Sequence, residues 1–349
     1  MELVQYHPAL NRPLAPLCSI CVANYNGVVF LRDCLDSIFA QSIDAEIEVI
    51  VHDDASTDNS VSWLLKHYPN VELLASQENV GFCVGNNRMV AHARGDYLLL
   101  LNNDAALHSD ALAALLSLAR KQNPAGIATL PQYDWESGAL VDRGCLIDPF
   151  YNPIPNLDEA RQNVAMVIGA CLFLPRTLWS QLGGFPEWLG SIGEDLYLCC
   201  QARLRGFPVQ VTTGSGYSHR QGASFGGNRI ALGQLHTTYR RRALSERNKT
   251  YALIVMTPGL FMWPLLVFHI ATLAVEGIAL SLLKSDKVIW SKIYWSSITA
   301  SARAWSMLRK QRQYEQMQRC VTLRQYLKPT QLQLRKLSML WRYGIPKIK

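Results

Sequence analysis

Ile47-Glu48-Val49-Ile50-Val51-His52-Asp53-Asp54 decides the fold: a β-branched run that stops abruptly at two carboxylates. Upstream, Cys18–Val22 is a second short apolar run, closing on Asn24-Tyr25-Asn26-Gly27. Between the two, Leu31, Leu35, Ile38 and Phe39 recur at helical spacing. Downstream, Ser56-Thr57-Asp58 reads as the cap of a helix carrying Val61, Leu64 and Leu65. Val71–Leu74 is a third strand, and the glycine- and asparagine-rich Asn79–Asn87 leads into a helix ending near Arg94. Tyr97–Leu101 is a fourth, wholly apolar strand ending at Asn102-Asn103-Asp104, and Ser109 caps a helix through Lys121. Strand and helix alternating four times predict an α/β fold with a mostly parallel sheet covered on both faces.

Such a sheet binds ligands beyond the carboxyl ends of its strands. Asn24/Asn26, Asp53/Asp54 and Asn102/Asp104 all stand at those ends, so a parallel sheet gathers them on one rim. Turn chemistry explains any one cluster, but three together suit a ribose, a base edge and a metal-bound phosphate. Asn79–Asn86 contains neither G-x-G-x-x-G nor G-x-x-x-x-G-K-[ST], which argues against a hydride-transferring dinucleotide enzyme. Gly81 and Gly85 read equally as close helix–sheet packing. Further on, Met166–Leu174 is an apolar run broken at Gly169-Ala170. Gly183-Gly184-Phe185-Pro186 and Gly193-Glu194-Asp195 follow, then a helix to about Arg205 whose first turn holds the two acids. Capping alone accounts for that pair unless the chain returns it to the rim. Val209–Val211 is a strand, and His219 falls in a glycine- and serine-rich loop, of interest only beside Asp104.

The 349 residues are 49% hydrophobic and 17% charged, which excludes disordered, collagenous and coiled-coil classes. Nine irregularly spaced cysteines suit reduced thiols in a cytosolic chain, and Met1–Pro16, with Glu2, Pro8 and Pro13, is not expected to be a secretory signal. The net charge of +7 is unevenly spread. Residues 284–349 hold 15 Lys and Arg against 2 Asp and Glu, leaving 19 against 25 for the rest. Between body and tail, Tyr251–Leu283 is interrupted only by His269 and Glu276. An apolar segment followed by a polybasic one predicts contact with an anionic membrane surface. A single span would export the basic tail, so interfacial attachment is expected over a true span, a re-entrant hairpin or an ordinary helical subdomain. Phe261, Trp263, Trp290, Tyr294, Trp295 and Trp305 suit an interfacial aromatic belt.

Seven segments occur in order: Ser19–Gly27, Val51–Asp58, Asn79–Asn87, Gly95–Asp104, Gly169-Ala170-Cys171, Gly183-Gly184-Phe185 and Gly193-Glu194-Asp195. Together they resemble the nucleotide-sugar glycosyltransferases of family 2, and within it the bacterial rhamnosyltransferase-like subgroup of surface-polysaccharide assembly. The resemblance covers roughly residues 17–250. It implies a GT-A (Rossmann-like) nucleotide-sugar domain over 17–250, an N-terminal extension over 1–16, and a helical membrane-associated region over 251–349. It implies that Asp53 meets a pyrimidine base, that Asn24 and Asn26 line the nucleotide, and that Gly81 and Asn86 pass beside nucleotide and sugar. Asn102-Asn103-Asp104 resembles a D-x-D motif whose first Asp is Asn. Asp104 and His219 would then hold Mg2+ or Mn2+, with Asn102 and Asn103 near the ribose. Asp195 stands at the position of the catalytic base, with Glu194 beside it. The usual E-D-x-D-L pattern carries Tyr197 at its last acidic position.

The expected activity is an inverting, divalent-metal-dependent transfer of a sugar, rhamnose by subgroup resemblance. The donor is a UDP- or dTDP-sugar, and the acceptor a polyprenyl-diphosphate-linked or other saccharide. The enzyme would work at the cytoplasmic face of the inner (plasma) membrane, peripheral or monotopic. Arg247, Asn248 and Lys249, following Arg240-Arg241-Arg242, are candidates for the lipid diphosphate. The alternatives are a catalytically silent membrane scaffold and a basic-tailed nucleic-acid-binding protein. An acidic body without a groove-reading motif opposes the latter, and no nucleic-acid partner is expected.

Overall fold

The computed structural model describes residues 4–222, 229–231 and 233–349. The remaining positions, which include the start of the 1–16 extension and a stretch just after His219, lie outside the described residues. In chain order the strands begin β1 (Val4–His7), β2 (Cys18–Asn24), β3 (Ile47–Asp53), β4 (Glu72–Ser76), β5 (Tyr97–Asn102), β6 (Ala105–Leu107), β7 (Ile127–Thr129) and β8 (Gln132–Asp134). They continue with β9 (Leu140–Asp142), β10 (Cys145–Ile147), β11 (Pro153–Pro155), β12 (Cys171–Pro175), β13 (Val209–Val211), β14 (Tyr217–His219), β15 (Arg229–Ala231), β16 (Gln234–Thr237) and β17 (Lys347–Ile348). The helices are α1 (Val28–Phe39), α2 (Ser60–His67), α3 (Phe82–His92), α4 (Ala111–Lys121), α5 (Arg176–Leu182), α6 (Glu194–Leu204), α7 (Tyr239–Met256) and α8 (Met262–Leu283). After α8 come α9 (Lys287–Ile289), a π-helical turn over Trp290–Trp295, α10 (Ser296–Arg303), α11 (Trp305–Met317), α12 (Leu323–Leu327) and α13 (Arg335–Tyr343).

The large sheet has the order β1-β4-β3-β2-β5-β12-β7-β13. Its centre, β4-β3-β2-β5, is parallel, while β1 and β12 attach antiparallel at either side. The residues preceding Leu17 therefore supply an edge strand of the same sheet. Alternation along each strand sorts side chains to two cores. Ile20, Val22, Val49 and Leu99 pack under α1 and α4, with Leu31, Leu35, Ile38, Leu112 and Leu115. Cys21, Ile50, Leu98 and Leu100 face the opposite layer, with Met89, Leu178, Leu198 and Ile254. Phe39 and Leu65, expected inside, are exposed at the ends of their helices. Ser56-Thr57-Asp58 does not cap α2 directly: the cap position is Asn59, and Asp58 accepts from the Ser60 amide.

The expected division at residue 250 falls within α7, one continuous helix whose second half is buried. The tail folds back onto the body from there. Arg203 bonds the Tyr326 carbonyl, α11 packs on α7, and β17 pairs with β16. Arg205 pairs with the buried Glu315 at 2.9 Å. The C-terminal third is therefore part of one body rather than an appended module. Eight of the nine cysteines are buried as free thiols, and Cys320 is exposed.

Candidate functional site

The parallel register sets Asn24 opposite Asp53 and Ala23 opposite Asn102, so three strand ends meet on one rim. Asn24 donates to Asp53 Oδ2 at 2.8 Å and accepts from Asn103 Nδ2 at 2.7 Å. Asp53 also accepts from the Ser56 amide and hydroxyl at 2.9 and 2.7 Å. Asn26, in the left-handed region at φ 49, turns its carbonyl oxygen to the Thr57 amide and its own amide to Ser56 Oγ. Gly27 allows this closure, since a Cβ there would lie 2.0 Å from Asn103 Nδ2.

Two expected contacts change as a result. Asp53 is sealed at 1% exposure and does not line the cavity beside the rim; it orients Asn24 and the Ser56 loop instead. Its neighbour Asp54 does line the cavity, with its carboxylate holding the Val80 and Gly81 amides at 2.7 and 2.9 Å. Gly81 follows at φ 86, as the cap of α3 requires. Asn86 is buried and donates to the Phe82 carbonyl, so it belongs to the helix and not to the cavity wall. Asn87 instead clamps the Gly183–Pro186 turn, exchanging bonds with Phe185 at 2.8 and 3.0 Å.

His219 is not in a loop. It ends β14, which pairs antiparallel with β6 and places it opposite Ala105, one residue after Asp104. His219 Nε2 lies 3.1 Å from Asp104 Oδ1, both residues are buried, and both line the cavity. The imidazole Nδ1 is buried without a hydrogen-bond partner among the described residues. One carboxylate oxygen and one imidazole nitrogen suit an oxygen-preferring divalent cation that takes its remaining ligands from diphosphate and water. No group of three or more His, Cys, Asp or Glu gathers as a metal cage among the described residues. The residues present fit a shared site of that kind and not an all-protein one.

Glu194 and Asp195 open α6 after Gly193 and line the same cavity. Asp195 accepts from the Gly169 amide at 2.9 Å and the Leu196 amide at 2.6 Å. Burial pushes both carboxyls above the usual carboxylate range, and the Asp195 charge pushes Glu194 further. The Arg241 guanidinium opposes both shifts. The pair thus favours one charge, with Asp195 ionised against two amide donors and Glu194 protonated. Tyr197 is buried and meets Trp188 edge-on at 5.4 Å, so the departure from E-D-x-D-L falls on a core position.

The basic segment divides. Arg247 donates to the Leu189 carbonyl at 2.7 Å, and Asn248 Nδ2 lies 3.1, 3.1 and 2.7 Å from the carbonyls of Leu189, Ser191 and Ile192. Neither lines the cavity, so their expected diphosphate role gives way to clamping the loop that delivers Glu194 and Asp195. Lys249 does line it, bonded to Asn152 and paired with Glu246 at 3.1 Å. Arg241, from the basic run noted in the sequence, lines the cavity, and His52 and Lys336 line it unforeseen. The Arg240–Arg242 run was a signal for the first; a lone histidine inside a strand and a lysine in a basic tail gave none. Burial holds His52 neutral, down to about 4.

Residues 19–182 match the model of Glycosyl transferase family 2. Chondroitin synthase of Escherichia coli is 30% identical over 188 residues, covering 52% of this chain and 26% of that protein. The O-antigen biosynthesis protein RfbC of Myxococcus xanthus is 25% identical over 239 residues, covering 63% and 18%. The chain thus spans about a quarter or less of these relatives' length. Among solved structures, GalNAc-T7 with UDP, GalNAc and Mn2+ aligns at TM-score 0.55 and 14% identity, covering 70% of this chain and 48% of that one. S. aureus TarS 1-349 with UDP-GlcNAc aligns at 0.54 and 15%, covering 86% and 88%. These likenesses show a GT-A fold with a C-terminal helical region.

Asn248→Ala leaves three carbonyls of the 189–192 loop short of a donor and is expected to cost about 1–3 kcal/mol, read by denaturant melts. Transfer should fall more than donor binding does; equal loss of both would contradict a clamp. Glu194 carries a raised folded pKa, so its stabilising protonated form is present in acid and is lost as pH rises through that value. Glu194→Gln should therefore flatten the fall in melting temperature between mildly acid and alkaline buffer. Parallel curves for the two proteins would refute a buried neutral Glu194.

Proposed function

Because residues 19–182 match the model of Glycosyl transferase family 2, we propose that the chain is an inverting glycosyltransferase using a UDP- or dTDP-sugar. The observation that carries this reading is one cavity, of about 1010 Å³, lined by Asp104 and His219 and also by Glu194 and Asp195. Asn24, Asn102 and Asn103 line the cavity where base and ribose would lie, while Asp53 fixes Asn24 from behind. Asp104 and His219 would hold Mg2+ or Mn2+, which when bound neutralises charge on the departing diphosphate as a Lewis acid. Asp195, its oxygens held by two backbone amides, takes the proton of the acceptor hydroxyl as that oxygen attacks the anomeric carbon. A single base with no enzyme nucleophile gives one displacement and inverted configuration. Likeness to the Myxococcus O-antigen biosynthesis protein supports a part in surface-polysaccharide assembly; a lipid-linked acceptor and rhamnose as the sugar rest on the subgroup resemblance.

The acceptor's lipid and the attachment of the enzyme to the inner membrane find support in α8. This helix, within the apolar stretch Gly259–Leu283, is long and apolar enough to cross a bilayer. Yet Met262, Leu265, His269, Leu273, Gly277 and Leu280 bury one stripe along its whole length. That stripe packs on α7 and on the π-helical turn, where a Cβ at Gly277 would lie 2.6 Å from Tyr294. Crossing the bilayer would drag the charged Arg242 and Glu246 of α7 into hydrocarbon, so α8 lies along the membrane surface. Val267, Ile278 and Leu282, at 66, 50 and 74% exposure, enter the leaflet, and the basic tail meets anionic headgroups.

Asp195→Asn should lower transfer by about 10²–10⁴ while donor binding, read by thermal shift with a nucleotide-sugar panel, survives. Loss of both together would oppose a base. Replacing Val267, Ile278 and Leu282 by Glu should abolish flotation with phosphatidylglycerol vesicles without altering the melting temperature. A variant that still floats would exclude this face.

A further inference from the structure

α8 is apolar on every side, and its surroundings divide those sides into three. One stripe is buried in protein and a second, Val267, Ile278 and Leu282, faces outward. The third, Phe268, Ala271, Thr272, Val275, Ala279 and Leu283, lines the cavity that also holds Asp195. Opposite it stands α13, an amphipathic helix with no buried residue, which with Leu334 just before it turns Leu334, Leu337 and Leu340 to the same cavity. Lys336 ties α13 down, reaching Glu246 on α7 at 2.8 Å and Glu276 on α8 at 2.6 Å. Glu276 also pairs with Arg242 at 2.6 Å, which accounts for the single acid in an otherwise uncharged helix. The result is an apolar groove between two helices, about 22 Å long by helical rise from Phe268 to Leu283. It runs into a polar chamber.

Arg240, Arg241, Arg242, Lys249, Arg335 and Lys336 are the basic side chains of the cavity wall; Glu246 and Glu276 pair with Arg242, Lys249 and Lys336, and Arg241 faces Glu194 and Asp195. Hydrocarbon walls, a cluster of basic side chains and a carboxylate pair in one cavity match an amphiphile: a chain, a phosphate, and a hydroxyl-bearing head. A peptide would find few partners for its backbone along the α8 stripe, where the Thr272 hydroxyl is already spent on the His269 carbonyl. A flat bilayer surface cannot follow an indentation that ends at Asp195.

We propose that the groove between α8 and α13 binds the hydrocarbon chain of a membrane-borne, phosphate-headed acceptor and presents its head to Asp195. The acceptor role rests on the transferase reading above; the lipid site itself rests on the groove. Arg240 to Arg242, Lys249, Arg335 and Lys336 receive the phosphate by charge-assisted hydrogen bonds. The outer stripe of α8 holds the membrane, and the cavity stripe takes one lipid out of it.

The test uses the full chain and farnesyl phosphate carrying a terminal benzophenone, irradiated and mapped by mass spectrometry. Labelling should fall on Phe268, Val275, Leu337 and Leu340. Excess unlabelled farnesyl phosphate should suppress it by about tenfold or more, and inorganic phosphate should not. Val275→Trp or Leu337→Trp should fill the groove and abolish labelling while UDP-sugar binding persists. Labelling confined to Val267, Ile278 and Leu282 would overturn the proposal in favour of simple bilayer contact. Undiminished labelling of the Trp variants would overturn it as well. Labelling as expected in a protein that never turns over a donor sustains the lipid site and sinks the transferase reading alone.

Discussion

One side chain ties the rim together. Asn24 donates to Asp53 and accepts from Asn103, joining the ends of β3 and β5 across β2 with both halves of its amide used. Buried at 2% exposure, it has no water to fall back on, so the strand register and the rim stand or fall as a unit. From this knot the Ser56 loop is set through Asp53, the Gly81 loop through the neighbouring Asp54, and Asp104 as the residue following Asn103. Of these groups Asn24, Asn103 and Asp54 line the cavity themselves, while Asp53 and Ser56 brace them from behind.

The same division explains what the sequence disclosed. β-strands ending in Asn and Asp were legible because period and punctuation are local signals, and β2, β3 and β5 lie where those signals put them. Parallel pairing then made the common rim a matter of geometry. Asp53 and Asn86 stand behind the cavity wall for a shared reason: residue type and position along the chain place a side chain near a site but do not reveal which neighbour consumes its hydrogen-bonding capacity. Asp53 loses its oxygens to Ser56 and Asn24, and Asn86 points back to Phe82. His219 was read as a loop residue because β14 is only three residues long and exists by pairing with β6 and β8, which no local pattern announces.

The tail's composition was plain in the sequence and its topology was not. Its charge and its apolar preface pointed to a lipid surface. What they left out was that α7 runs without a break through the expected boundary, that Glu315 is buried against Arg205 and Gln201, and that Lys336 reaches Glu246 and Glu276. Those contacts join residues 60 to 114 positions apart, beyond the reach of any periodicity.

They also bear on how the Glu194–Asp195 pair and α8 are coupled. Arg241 and Arg242 are adjacent on α7; the first opposes the raised carboxyl pKa of Glu194 and Asp195, while the second pairs with Glu276 of α8. About one turn further along α7, Arg247 and Asn248 clamp the loop before α6 on one side, and Glu246 answers α13 on the other. A single helix therefore contacts the Glu194–Asp195 pair, α8 and α13. Movement of α8 or α13 would reach those two carboxyls through charge pairs already formed, not through a flexible hinge. A fold assembled from separable modules would lack that path; here α8 and α13 form part of the wall of the cavity that holds Glu194 and Asp195.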